Sequence, residues 1–182
     1  MQTARTRDTL SLIFSFFESR ILQHILRRIM VNYQTKPEQL DPKAAAAWYS
    51  TRGCETAKMS AEDTREWVQN LHHYKSGNVQ HLIKWSRRLA TLNKAGHCQL
   101  NVKLDDAPIL LTALNDHRLL MAATHDIGQK EMDIRSPAAL NSLKPAQQTA
   151  ISEIHFLAAI IEEILRFLPG NPGGWMEAIE IQ

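Results

Sequence analysis

The chain has 182 residues, 44% of them hydrophobic and 22% charged, with a net charge of +2. That length suits one large domain, and such a chain buries about 70% of its unfolded surface without disulfide or metal staples. The composition excludes a disordered chain, and seven glycines and seven prolines are too few for a turn-rich sandwich.

The charge is uneven. Residues 1–57 carry eight Lys/Arg against five Asp/Glu, residues 58–103 eight against three, and residues 104–182 five against eleven. A basic first half and an acidic second half either address separate partners or pack together and neutralise each other. The second is the plainer reading for a folded domain. Cys54 and Cys98 form no CxxC pair and are expected to be free thiols in a reducing compartment. Arg5 and Arg7 precede an apolar run from Leu10 to Phe17, but Glu18 and Arg20 end it and no small-residue cleavage site follows. No stretch reaches the ~18 apolar residues that a membrane span needs. A cytoplasmic location without a membrane partner is therefore expected.

In chain order, Leu10, Leu12 and Phe14 alternate with less apolar positions and predict a strand over 9–14. Ser15-Phe-Phe-Glu18 has capping-box spacing and opens a helix over 16–34, with Ile21, Leu22, Ile25, Leu26, Ile29, Met30 and Tyr33 on one face. Arg20, Arg27 and Arg28 fall off that face. Asp41-Pro42 opens a short helix through Trp48 and Tyr49 that stops near Gly53. Ser60-Ala-Glu-Asp63 starts another, with Trp67, Leu71 and Tyr74 as its inward face. Gly77-Asn78 separates it from a helix carrying Leu82, Trp85, Leu89 and Leu92, which Ala95-Gly96 closes.

Leu100, Val102 and Leu104 alternate with polar residues and predict a second strand over 99–104 that pairs with 9–14. Asp105-Asp106 caps a helix to about His125, which Gly128 ends. Residues 129–144 read as loop with one turn at 137–141. A last helix spans 145–168, with Ile151, Ile154, Ala158, Ile161 and Leu165 down one side. The expected fold is thus mainly α: five or six helices bundled around the 106–125 and 145–168 pair, with a small two-stranded sheet. Residues 1–168 form one helical domain, and the tail 169–182, holding Trp175, docks on it or on a partner.

Chemical signatures are scarce. The eight histidines form no HExxH or HxxxH, and adjacent His72 and His73 face different sides of a helix, so no metal or other cofactor is expected. His125-Asp126 is the nearest approach to a ligand pair and reads better as a solvated helix end. No GxSxG, GxxxxGK[ST] or GxGxxG occurs, so no catalytic residue is assigned. Lys84, Arg87 and Arg88 flank Trp85 and would suit nucleic acid, but a solvated helix face with Trp85 in the core is the plainer reading.

The most informative polar cluster is Leu-Asn-Asp-His-Arg-Leu, residues 114–119, within an otherwise apolar helix. Asn and Asp are poor mid-helix residues, so something tertiary must compensate. The plainer reading pairs Asp116 with a basic residue of the first half and has Asn115 cap a loop. The sharper one makes Asn115, Asp116, His117 and Arg118 a binding patch.

The order of elements, with that hexapeptide and the Thr124-His-Asp-Ile-Gly128 helix exit, resembles an uncharacterised bacterial family, domain of unknown function number twenty-seventeen. The resemblance covers most of the chain. Family members often carry a glycine in the second half of the hexapeptide helix, where this chain has Ala122-Ala123. The family has no established activity, so no functional residue carries over. Some members are encoded beside an adaptor of the Clp protease, which implies a link to proteostasis.

Two functions are weighed. The first is a non-enzymatic protein-interaction module, an adaptor or regulator with a protein partner or a second copy of itself. The second is a small-molecule binder or small enzyme built on Asp116, His117 and Arg118. Nucleic-acid binding through Lys84, Arg87 and Arg88 stands third.

Overall fold

The computed structural model describes residues 1–93, 95–134 and 136–168. Trp175 and the tail lie outside the described residues. Strands β1 (Gln2–Arg5), β2 (Thr9–Phe14) and β3 (Cys98–Lys103) form an antiparallel sheet in the order β1-β2-β3. The expected pairing holds, with Leu12 opposite Leu100 and Leu10 opposite Val102. Leu10, Leu12, Phe14, Leu100 and Val102 are fully buried, while Ser11 and Asn101 share a 2.8 Å hydrogen bond on the other face.

The sheet has a third strand that the pattern did not predict. Gln-Thr-Ala-Arg shows no apolar alternation, because β1 is an edge strand held by its ladder to β2 rather than by buried side chains. The link between them is tight: Thr6 donates its N–H to Thr9 O at 2.9 Å.

Helix α1 (Phe16–Gln34) starts at the expected capping box, with Ser15 N–H donating to Glu18 Oε2 at 2.8 Å. It buries Leu22, Ile25, Leu26, Ile29 and Tyr33. Asp41 caps α2 (Pro42–Trp48), accepting from Lys43 N at 2.9 Å. Gly53 does not end that helix; it lies inside a one-turn helix, α3 (Arg52–Thr56). In α4 (Ala61–Gly77) the inward stripe runs through Val68, Leu71 and Lys75, and Tyr74 is half-exposed. Helix α5 (Val79–Arg88) buries Leu82 and Trp85 but ends before Leu92, which forms a lone β-bridge with Cys98 instead.

Helix α6 (Ala107–Thr124) follows a 3-10 turn over Leu104–Asp106, with Pro108 in its first turn. It does not end at Gly128. Asp126 takes the left-handed backbone at φ 51°, a conformation Asp tolerates, and Ile127 N–H returns to Ala122 O at 2.9 Å. Gly128 instead precedes α7 (Gln129–Met132), and α8 (Pro137–Asn141) occupies the expected turn. In α9 (Pro145–Phe167) the buried stripe is Ala150, Ile151, Ile154, Leu157, Ile160 and Ile164. The expected stripe through Ala158, Ile161 and Leu165 is one position late, because α9 turns Leu157 and Ile160 toward the core.

Helix α6 packs along α9 on one side and α2 on the other, while α1 packs along α5. The larger hydrophobic cluster joins the sheet's inner face to α1, α5, α6 and α9. A smaller one joins Met121 and Ile127 to Ala150, Ile151 and Ile154. Cys54 and Cys98 are both buried free thiols. Among the described residues no helix is long and apolar enough to cross a membrane.

Leu12 sits fully buried on the central strand. Leu12→Ala is expected to lower unfolding free energy by about 3 kcal/mol, and Ser15→Ala by about 1 kcal/mol, both read by urea titration.

Candidate functional site

Successive side chains on a helix point about 100° apart. Because α6 is sandwiched between neighbours, Asp116 and His117 therefore enter different environments.

Asp116 turns toward α1, α2 and α4. Its Oδ2 accepts from Tyr33 Oη at 2.5 Å and forms a salt bridge with Lys75 Nζ. The backbone carbonyl of Asp116 accepts from Trp48 Nε1 at 2.6 Å. The Lys75 ammonium lies 5.3 Å from the Tyr33 ring centre and 5.6 Å from that of Trp48. Those rings meet edge to face at 5.5 Å. Lys75 is 3% exposed and Asp116 7%, so this charge pair is walled off from water by two aromatic rings. Burial, reinforced by the Asp116 charge, pushes the Tyr33 phenol far above its ordinary value, so it is a permanent donor. The same two causes, in that order, raise Tyr49 to about 12.

His117 turns toward α9 and is fully buried. Its Nε2 lies 3.0 Å from Glu153 Oε2, and Arg28 Nη1 reaches the same oxygen at 3.2 Å. Arg28 Nη2 also lies 3.2 Å from Met121 Sδ. A carboxylate only accepts, so Nε2 carries the proton. The other nitrogen, Nδ1, is buried without a hydrogen-bond partner. Protonating it would bury an N–H with nothing to receive it. Burial accordingly lowers the His117 pKa, against the opposing pull of Glu153. Burial also works against the Glu153 carboxylate, but the His117 hydrogen bond and the Arg28 charge outweigh it and hold that pKa below the usual range.

The remaining members of the hexapeptide go elsewhere. Asn115 is exposed and caps no loop among the described residues. Arg118 is half-buried with its Nε lacking a partner. The four residues thus share a helix but not a pocket. The expected partner of Asp116 in the basic first half is Lys75. The acidic second half also meets the first through Arg28–Glu153 and Lys43–Asp126, the latter at 2.6 Å.

Sequence reasoning missed Lys75, Tyr33, Trp48, Arg28 and Glu153 as members of these networks. One signal was available: Lys75 follows Val68 by seven and Leu71 by four, which puts a cation on an apolar stripe.

A hollow lies away from α6. Lys36, Pro37 and Glu38, at the corner after α1, face Arg65, Val68, Gln69, His72 and His73 of α4 across a groove of about 970 Å³. His72 Nδ1 lies 3.4 Å from Tyr49 Oη, which ties the groove to the residue that follows α2. A shallower hollow of about 370 Å³ on α5 is lined by Ile83, Lys84, Arg87 and Arg88, while Trp85 is buried beneath it. Among the described residues no group of three His, Cys, Asp or Glu is placed to hold a metal ion.

Asp116→Ala leaves a buried ammonium unpaired and should cost about 3–5 kcal/mol in denaturant titration. The double substitution Lys75→Met with Asp116→Leu should recover most of that loss. The pH dependence has a definite sign. The folded state resists protonating His117, so its contribution is complete above the ordinary imidazole value of 6.5 and is lost as pH falls below it. Glu153 adds a second loss below the carboxylate value of 4.5. Thermal midpoints of His117→Gln should therefore fall less than those of the unsubstituted protein between about pH 7 and pH 5. No family model, curated protein or solved structure matches the chain, so its function has to be read from its own surfaces.

Proposed function

We propose that the protein is a non-enzymatic interaction module that holds an acidic, apolar-anchored segment of a partner protein in the groove between Lys36–Glu38 and α4. The observation that carries this is the groove itself: about 970 Å³, open to solvent, with Val68 and Pro37 offering apolar surface. Lys36 and Arg65 stand around it against one carboxylate, Glu38, with the imidazoles of His72 and His73 beside them. A concave surface with apolar patches, whose cations outnumber its carboxylate, suits recognition of a complementary chain. The polar residues of α6 favour the same reading, because Asp116 is taken up by Lys75 and Tyr33, His117 Nε2 by Glu153, and neither side chain is exposed. An adaptor or regulator linked to proteostasis is the biological form that the family resemblance suggests for this proposal.

The test pairs Lys36→Glu with Arg65→Glu, both on exposed side chains. Proteins retained from lysate by the unsubstituted protein, quantified by mass spectrometry, should fall by about tenfold or more with the double variant. Lys84→Glu should leave them unchanged. Equal retention by all three proteins would exclude the groove. A doubled mass in size-exclusion chromatography, reversed by the same pair, would make the partner a second copy of the chain.

A further inference from the structure

A second surface, independent of that groove, lies on the outer side of α1 and α5. On α1, Phe17, Arg20, His24, Arg27 and Val31 follow one another by three, four, three and four residues, which aligns them in one outward stripe. The ends of the stripe are apolar and unusually bare: Phe17 is 72% exposed and Val31 63%, with Phe16 beside Phe17 at 57%. The middle is cationic.

This stripe continues onto α5. Arg20 Nη1 donates to Gln23 Oε1 at 2.8 Å, and Gln23 Nε2 donates to the carbonyl of Ser86 at 2.9 Å. Arg20 and Arg27, one turn either side of Gln23, therefore flank the seam between the helices, and Arg87 follows Ser86 on its far side. Lys84 and Arg88 line the same outer hollow as Arg87.

Among the described residues no ion pair neutralises these charges. Helix α5 and strand β3 contain no carboxylate, and the single one on α1, Glu18, is held by Ser15 and the chain's first amine. Among the described residues Arg20, Arg27, Lys84, Arg87 and Arg88 have no ion-pair partner, whereas Arg28, Lys43 and Lys75 each have one. In a chain whose net charge is only +2, cations left unpaired on one face, with bare apolar residues at its ends, suit an external anionic surface that also accepts hydrocarbon.

We infer that the α1–α5 face docks peripherally on an anionic lipid membrane, with its cations on headgroups and Phe16, Phe17 and Val31 among acyl chains. Helix α1 has 19 residues, so it lies about 28 Å along such a surface. Each Lys or Arg held there strengthens binding about fivefold, and the exposed apolar side chains add an anchor that salt does not screen. A nucleic acid would use the same cations, but it wants rings between them on which bases stack. Here the rings stand at one end and an aliphatic Val31 at the other.

Co-sedimentation tests this with vesicles of phosphatidylcholine alone or with about 30 mol% phosphatidylserine. The protein should pellet with the anionic vesicles only. Arg27→Glu with Arg87→Glu should weaken binding about tenfold or more, and Phe17→Ser should raise its salt sensitivity. Circular dichroism checks the fold, and Lys84→Glu with Arg88→Glu serves if the first pair fails to fold. Equal pelleting with both vesicle types, no pelleting, or insensitivity to the charge reversals overturns the inference. So does tighter binding to a single-stranded oligonucleotide that Phe17→Ser leaves untouched.

Discussion

The structure depends on a cation taken out of water. Lys75 sits on the inward stripe of α4, where a side chain of its length and charge would ordinarily be excluded. It is tolerated because Asp116 supplies the opposite charge and Tyr33 and Trp48 supply the walls. Those four residues come from α4, α6, α1 and α2. The pair therefore does more than satisfy itself: it fixes how four helices meet, since each must deliver its group to one point. An apolar core of similar volume would tolerate small shifts of register, whereas a buried pair has one good geometry.

The second network, about 100° around α6, works by another logic. His117 is neutral, Glu153 is charged, and Arg28 completes the balance. Here the helix is tied to α9 and α1 by a set that acid dismantles. Neighbouring positions on one helix thus give α6 two kinds of attachment: one enclosed by rings, and one whose strength follows the proton concentration.

Much of the fold was legible in the sequence. The capping boxes at Ser15 and Ser60, the Asp41-Pro42 start and the pairing of 9–14 with 99–104 are local or strictly periodic signals, though the second strand runs Cys98–Lys103 and Leu104 opens the 3-10 turn that follows. What escaped was tertiary. β1 is an edge strand with no apolar code, and Leu92 leaves its helix because β3 offers it a bridge. Tyr74 was assigned inward in place of Lys75 because periodicity ranks residues by apolarity and cannot see the anion waiting across the core. The polar hexapeptide was rightly singled out as something the fold must explain. That its members point to different neighbours follows only once α6 is seen between α2 and α9.

The pairings also order events in time. Ser11 bonds to Asn101, 90 residues further on, and Arg28 to Glu153, 125 residues further on. A chain emerging from the ribosome therefore presents β2, α1 and α4 well before their partners on β3, α6 and α9 exist. Through that interval Lys75 lacks Asp116, and β2 lacks the strand that pairs with its second edge. The first half therefore completes its polar pairings only once α6 and much of α9 have left the exit tunnel.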